Sequence, residues 1–226
     1  MARSTKQIAV YFEASAKRTF ANARDWPGWA RSGRDEDAAL EALLKSAPRY
    51  EQVLHAAHIA FSAPKDIDDF DIVDRIKGGP STDFGVPEQP GPGDDAAIDT
   101  TDLRRLQKLL RAYWQAFDAV VKAAHGKELR KGPRGGGREL DGIIEHVVGA
   151  QQGYLRALGQ KVVVEDGMDQ IEAVQQATVD AVGKGAHGDL PKQGPRGGKI
   201  WLPRYFVRRS GWHILDHIWE IEDRQE

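Results

Sequence analysis

From residue 102 to the end of this 226-residue chain, apolar side chains return at intervals of three and four. Leu103, Leu106, Leu109, Leu110, Tyr113, Trp114, Phe117, Val120, Val121 and Ala124 form one wide stripe, at the spacing that puts side chains on one helix face. "RELDGIIEHVVGAQQGYLRALG" (138–159) predicts a second helix, with Gly159 as its C-cap. A third covers about 167–183 through Met168, Ile171, Val174, Thr178 and Val182. The fourth starts near Pro203, a residue suited to a first helical turn, and runs to about Arg224. Four such helices bury their stripes most simply against one another, which predicts a four-helix bundle over 99–226.

The chain before the bundle is of another kind. "GGPSTDFGVPEQPGPGDDAA" (78–97) has Pro, Gly and acidic residues and no apolar period, and it predicts a linker over 78–98. Ahead of it, "KQIAVYFEA" and "RTFANA" have strand composition. "GRDEDAALEALLKSAPRYEQVLHAAHIAF" is helical, with acids in its first turn and a bend expected at Pro48. "DFDIVDRI" supplies a closing strand, so residues 1–77 read as a small α+β domain. The fold class is therefore α+β in two parts, a small mixed domain followed by an all-α one.

Composition removes several function classes. With 32 basic and 34 acidic residues the net charge is -2, so no global field draws the chain to DNA or to a membrane. There is no cysteine, which excludes disulfides, thiolate zinc sites and a cysteine nucleophile. No signal-peptide run and no long apolar segment is present, so a soluble cytoplasmic protein is expected.

The last helix carries His213 and His217 in "SGWHILDHIWEIEDR", four residues apart and so stacked on one face. Metal binding needs neutral imidazoles converging from fixed positions, and two ligands make a weak site. His146 on the second helix is the best third candidate. Gly142, Gly149, Ala150, Gly153 and Ala157 lie on its side, small enough to let a neighbouring helix approach. The plainer alternative is a pair of partly exposed histidines beside a metal-free core.

Glu220, three residues beyond His217, suits an orienting partner, a fourth ligand or a general base, against the commoner solvated carboxylate. "KGPRGGGRE" (131–139) and "KQGPRGGKI" (192–200) share GPRGG, each ahead of a helix with a ligand histidine. In a pseudo-symmetric bundle both loops would rim one mouth, where Arg134, Arg138, Arg196 and Lys199 could hold an anionic substrate group. Solvated basic loops are the alternative. Arg208 and Arg209 are expected to pair with nearby acids. His55, His58, His125 and His187 are expected at the surface.

The second half resembles the DinB/YfiT-like superfamily of metal-binding four-helix bundles. The match lies in His146 within "IIEHVVGAQQGYLRALG", His213 and His217 within "RRSGWHILDHIWEIEDR", the Tyr154–Leu155 pair, Gly159 and the acid-rich tail. The resemblance implies a divalent metal, commonly Zn or Ni, on three histidines with open positions for substrate. It implies hydrolysis or thiol-dependent transfer, and a small-molecule substrate or low-molecular-weight thiol as partner. A homodimer stays open.

The first half resembles the HicB-like antitoxin fold, a truncated RNase H-like unit. In "DWPGWARSGRDEDAAL", Asp25, Pro27, Gly28, Gly33, Ala39 and Leu40 stand where that family has its turn, strand end and helix start. This implies a fold, not an activity. The alternative function is accordingly a non-enzymatic, antitoxin-like binding module with a structural metal or none. An antitoxin would normally carry a DNA-binding module, and none is evident, so no DNA partner is expected.

Overall fold

The computed structural model describes residues 7–131, 137–194 and 197–225. The chain is α+β and divides into two compact units, residues 1–96 and 97–226.

In the first unit, strands β1 (Ile8–Ala14), β2 (Thr19–Ala23) and β3 (Ala30–Gly33) lead into helix α1 (Glu36–Ala56), followed by β4 (Phe70–Lys77). The sheet order is β3-β2-β1-β4, with β4 parallel to β1 and the other pairs antiparallel. Trp26-Pro27-Gly28-Trp29 makes the β2–β3 turn: Trp29 N–H donates to the Trp26 carbonyl at 3.0 Å, and Gly28 takes φ 102°. Pro at the second place and a positive-φ Gly at the third are what a type II turn requires. Asp35 caps α1, accepting from the Ala38 N–H at 2.8 Å. Gly33 lets the strand end press on this helix start, since a Cβ there would fall 2.5 Å from the Ala38 carbonyl carbon. Helix α1 continues through Pro48 without a break. Its inner face meets an aromatic cluster in which Trp29 stacks on Tyr50 (centroids 5.0 Å apart, 9° between planes) with Phe61 edge-on. The Trp29 indole N–H donates to Ser46 Oγ at 2.9 Å, so this large buried side chain leaves no polar group unmatched.

Residues 9–13 of β1 are buried on both faces, so the sheet has a second cover. That cover is the stretch expected to be a linker. It forms a short helix, α2 (Pro80–Asp83), and then lies along the sheet. Glu13, fully buried, accepts from Thr82 Oγ1 at 2.5 Å and from the Glu88 and Gln89 N–H groups at 3.0 and 3.3 Å. Ser15 Oγ donates to Asp83 at 2.5 Å. Tyr11 packs so closely on Gly91 that a Cβ there would sit 2.6 Å from the phenol oxygen. Residues 78–96 thus belong to the first unit, because a strand carboxylate supplies the acceptors that a segment without period cannot find in itself.

The second unit comprises α3 (Thr100–Ala124), α4 (Leu140–Ala157), α5 (Gln170–His187) and α6 (Pro203–Arg224). Asp99 and Asp169 cap α3 and α5, and Gly188 closes α5 in the left-handed conformation. The third helix therefore starts and ends a few residues later than its apolar stripe suggested. Contacts along the helices fix their directions. Arg204 pairs with Asp102 at one end of α3 and α6, and Lys127 bonds Gln225 at the other, so these two run parallel. Gln175 bonds Asp118 and Gln107 bonds the Val179 carbonyl, so α5 runs against α3. Lys184 reaches Gln160, which sets α5 parallel to α4. The order is up-down-down-up, and the connection 158–169 must travel the length of the bundle. Its twelve residues can span up to about 40 Å, against about 27 Å for α4. Among the described residues, no helix is long and apolar enough to cross a membrane.

Burial pushes the Glu13 carboxyl above its ordinary range, outweighing the three hydrogen bonds that favour the anion. A raised carboxyl contributes stability that is present below its unfolded value and is lost as pH rises through the folded one. Wild type should therefore lose thermal stability relative to Glu13→Gln as pH rises from about 4 to 8. Melting curves of both full-length proteins across that range check it.

Candidate metal centre

Helix α6 crosses the core with residues 205–215 all buried, so its polar side chains have little access to water. His213 and His217 lie one turn apart on it, 6% and 9% exposed. His146 faces them from α4. The three rings meet with centroids 5.0 Å (146–213), 4.9 Å (146–217) and 4.6 Å (213–217) apart, and no two are parallel. The ligand atoms all lie within 4.8 Å of one another, close enough to bind one metal ion.

The nearest pair, His146 Nε2 and His213 Nε2, is 3.2 Å apart. With metal–nitrogen bonds of about 2.0–2.1 Å, two corners of a tetrahedron are separated by about 3.3 Å. The spacing therefore suits two imidazole ligands on one ion. His217 Nδ1 is 2.7 Å from Glu220 Oε2, which leaves its Nε2 as the free ligand atom. Glu220 is itself held, its Oε1 accepting from Arg224 Nη1 at 2.9 Å. This histidine–carboxylate–arginine chain fixes one ring's tautomer and aim, as carboxylate partners of metal-binding histidines do.

Electrostatics favour neutral ligands. Burial, aided by the charges of His217 and Arg209, holds the His213 imidazole down to about 2. Burial and His217 also lower His146. The hydrogen bond from His217 keeps Glu220 below the usual carboxylate range, so it stays an anion beside that ring. A metal ion then competes with few protons for the nitrogens of His146 and His213.

The remaining sequence expectations divide. Glu220 has both carboxylate oxygens engaged, by His217 and Arg224, the position of an orienting partner. Arg138 is exposed, yet its charge reaches His146 and His213. Lys199 is exposed, and no described contact ties it to the histidines. Arg134 and Arg196 lie outside the described residues. The described residues flanking the two GPRGG-containing segments do not lie at one end of the bundle. The Arg130 N–H donates to the Arg224 carbonyl and Arg224 Nε donates to the Arg130 carbonyl at the end of α6, whereas the Trp201 N–H donates to the Ala157 carbonyl at the end of α4. Because α4 and α6 are antiparallel, those ends lie at opposite poles of the bundle. The glycines beside His146 do not bring helices together either: a Cβ at Gly149 would meet nothing within 4 Å, and one at Gly153 only the tip of Arg156 at 3.9 Å. They leave the flank of α4 next to His146 bare.

Arg209 is the residue the sequence reading misplaced. It lies one turn before His213 between the rings of Tyr154 and Trp212, at 4.9 and 4.7 Å, and not in an ion pair with an acid. Its position, four residues before His213 on the same line, was the available signal. His55, His58, His125 and His187 are exposed, as expected. Compared with protein-family models, curated proteins and solved structures, the chain matches none.

Two outcomes follow. Glu220→Gln should weaken zinc binding by about 10- to 100-fold without unfolding the bundle, read by competition with a chromophoric chelator. Gly149→Ala should raise stability by about 1 kcal/mol, measured by denaturant titration, because it adds helix propensity where no neighbour is met.

Proposed function

We propose that His146, His213 and His217 hold one divalent cation, zinc or nickel, and that the chain is a metal-dependent enzyme acting on a small molecule. The observation that carries this reading is the convergence of three imidazoles from two helices, two of them buried and one oriented by a carboxylate. Such a donor set leaves positions open for substrate, and three neutral ligands leave the ion its full charge. The ion supplies Lewis acidity, polarising a carbonyl or acidifying a water or thiol. The chain's own part is to fix the ligands: α6 spaces two of them, α4 brings the third, and Glu220 with Arg224 holds His217 in register. Hydrolysis of an activated carbonyl, or transfer of a low-molecular-weight thiol to an electrophile, are the reactions this supports. The likeness of these residues to the DinB/YfiT-like pattern supports the reading.

Metal analysis of the full chain by plasma mass spectrometry tests it. Wild type should carry about one zinc or nickel per chain, and His146→Ala, His213→Ala and His217→Ala should each carry almost none. Unchanged metal content in His146→Ala would falsify the ligand assignment. Chelation should abolish turnover of p-nitrophenyl acetate, or of glutathione with chlorodinitrobenzene, while the melting curve stays cooperative. A collapse of the fold on chelation would instead make the metal structural.

A further inference from the structure

We propose that Arg209, clasped between Tyr154 and Trp212, is a carboxylate-binding subsite one helical turn from the metal centre, so that the substrate is a small carboxylate-bearing molecule. This deepens the function proposed above and rests on it for where the reacting group lies.

Arg209 is 9% exposed, and its Nη1 is buried with no hydrogen-bond partner. Among the described residues, no carboxylate pairs with it. A guanidinium cannot shed its charge, and a buried unpaired cation is expensive to keep. The two rings offset part of that cost through their π faces, at 4.9 Å for Tyr154 and 4.7 Å for Trp212. Rings, however, accept at their faces and leave N–H donors unmatched. Planar N–H donors in a fork are what a carboxylate takes up two at a time.

The surroundings point the same way. Ser210 Oγ, Gln151 Oε1 and His213 Nδ1 are also buried without partners, so the α4–α6 seam carries a run of unmatched polar atoms from the metal centre to Arg209. Gln151 ties the seam together by donating to the Ser210 carbonyl at 3.4 Å. Tyr154 touches both ends, its ring 5.8 Å from that of His213 and under the Arg209 guanidinium. Buried polar atoms left unpaired side by side mark a place that a ligand or water completes. Four residues of helix separate Arg209 from His213 by about 6 Å, roughly the span of a three-carbon acid. The bare flank of Gly149 and Gly153 lies beside His146, the most exposed of the three histidines, and gives the seam an open side.

Calorimetric titration of the full chain with 3-mercaptopropionate and with its neutral counterpart 3-mercaptopropan-1-ol tests the subsite, in zinc-loaded and in chelator-treated protein. The acid should bind zinc-loaded wild type about tenfold tighter than the alcohol, the worth of one charge-assisted hydrogen bond. Arg209→Gln should erase that preference and leave the affinity for the alcohol unchanged. Arg209→Lys, which keeps the charge but not the fork, should retain a reduced preference, and it decides the matter if the glutamine variant does not melt cooperatively. Equal affinities in wild type, a preference surviving Arg209→Gln, or one undiminished in Arg209→Lys would each overturn the proposal. A preference for the acid in protein that takes up no zinc would sink the metal reading and leave the subsite standing. Normal zinc uptake with equal affinities would sink the subsite alone.

Discussion

The packing of α4 against α6 in opposite directions is the constraint on which the candidate site depends. It sets the start of α4, with His146, beside the C-terminal half of α6, with His213 and His217. The same pairing sets Gln151 against Ser210 and Tyr154 against Arg209. Had these helices run parallel, His146 would face the first turns of α6 and the histidine pair would have no third partner. The direction is enforced at both poles: Arg224 and Arg130 exchange hydrogen bonds at one, and Trp201 bonds Ala157 at the other.

That arrangement asks a helix to bury groups that prefer water. Along α6, Arg208, Arg209, Ser210, His213 and His217 are all buried. The protein meets the cost in different ways at the two ends of the seam. At the C-terminal end, His217, Glu220 and Arg224 satisfy one another in a chain of hydrogen bonds. Further back, His213 becomes tolerable by staying neutral, and Arg209 by lying between two aromatic faces. The first solution engages all three side chains and leaves over only Arg224 Nη2. The second leaves Arg209, Ser210, Gln151 and His213 each with an unmatched polar atom along one seam, the mark of a place prepared for something else.

Much of the fold could be read from the sequence because its signals are local. A stripe such as Leu106–Leu109–Leu110–Tyr113 has the helical period whatever surrounds it, and Trp26-Pro27-Gly28-Trp29 specifies its turn through two residues. The three histidines were legible for the same reason: spacing on α6 puts two on one face, and only one other helix offered a third. What stayed hidden depends on partners remote in sequence. Residues 78–96 lack any period, and they are held by partners on and beside β1, among them a buried carboxylate 69 positions before Thr82. Glu13 itself sits in a strand whose alternation gives no hint that both faces are covered.

Helix direction was the other invisible quantity. An apolar stripe has no polarity, so the two GPRGG segments invited a pseudo-symmetric arrangement with one shared mouth. A signal against it was present in the twelve-residue gap between α4 and α5, which is longer than a turn between antiparallel neighbours needs. Reading that gap as a crossover reverses α5 relative to the simple up-down order, and α6 with it. Arg209 then falls beside Tyr154 on the histidine face, where its i–4 relation to His213 had placed it all along. Chain direction, which no hydrophobic pattern records, thus decides whether this arginine is a surface charge or part of the site.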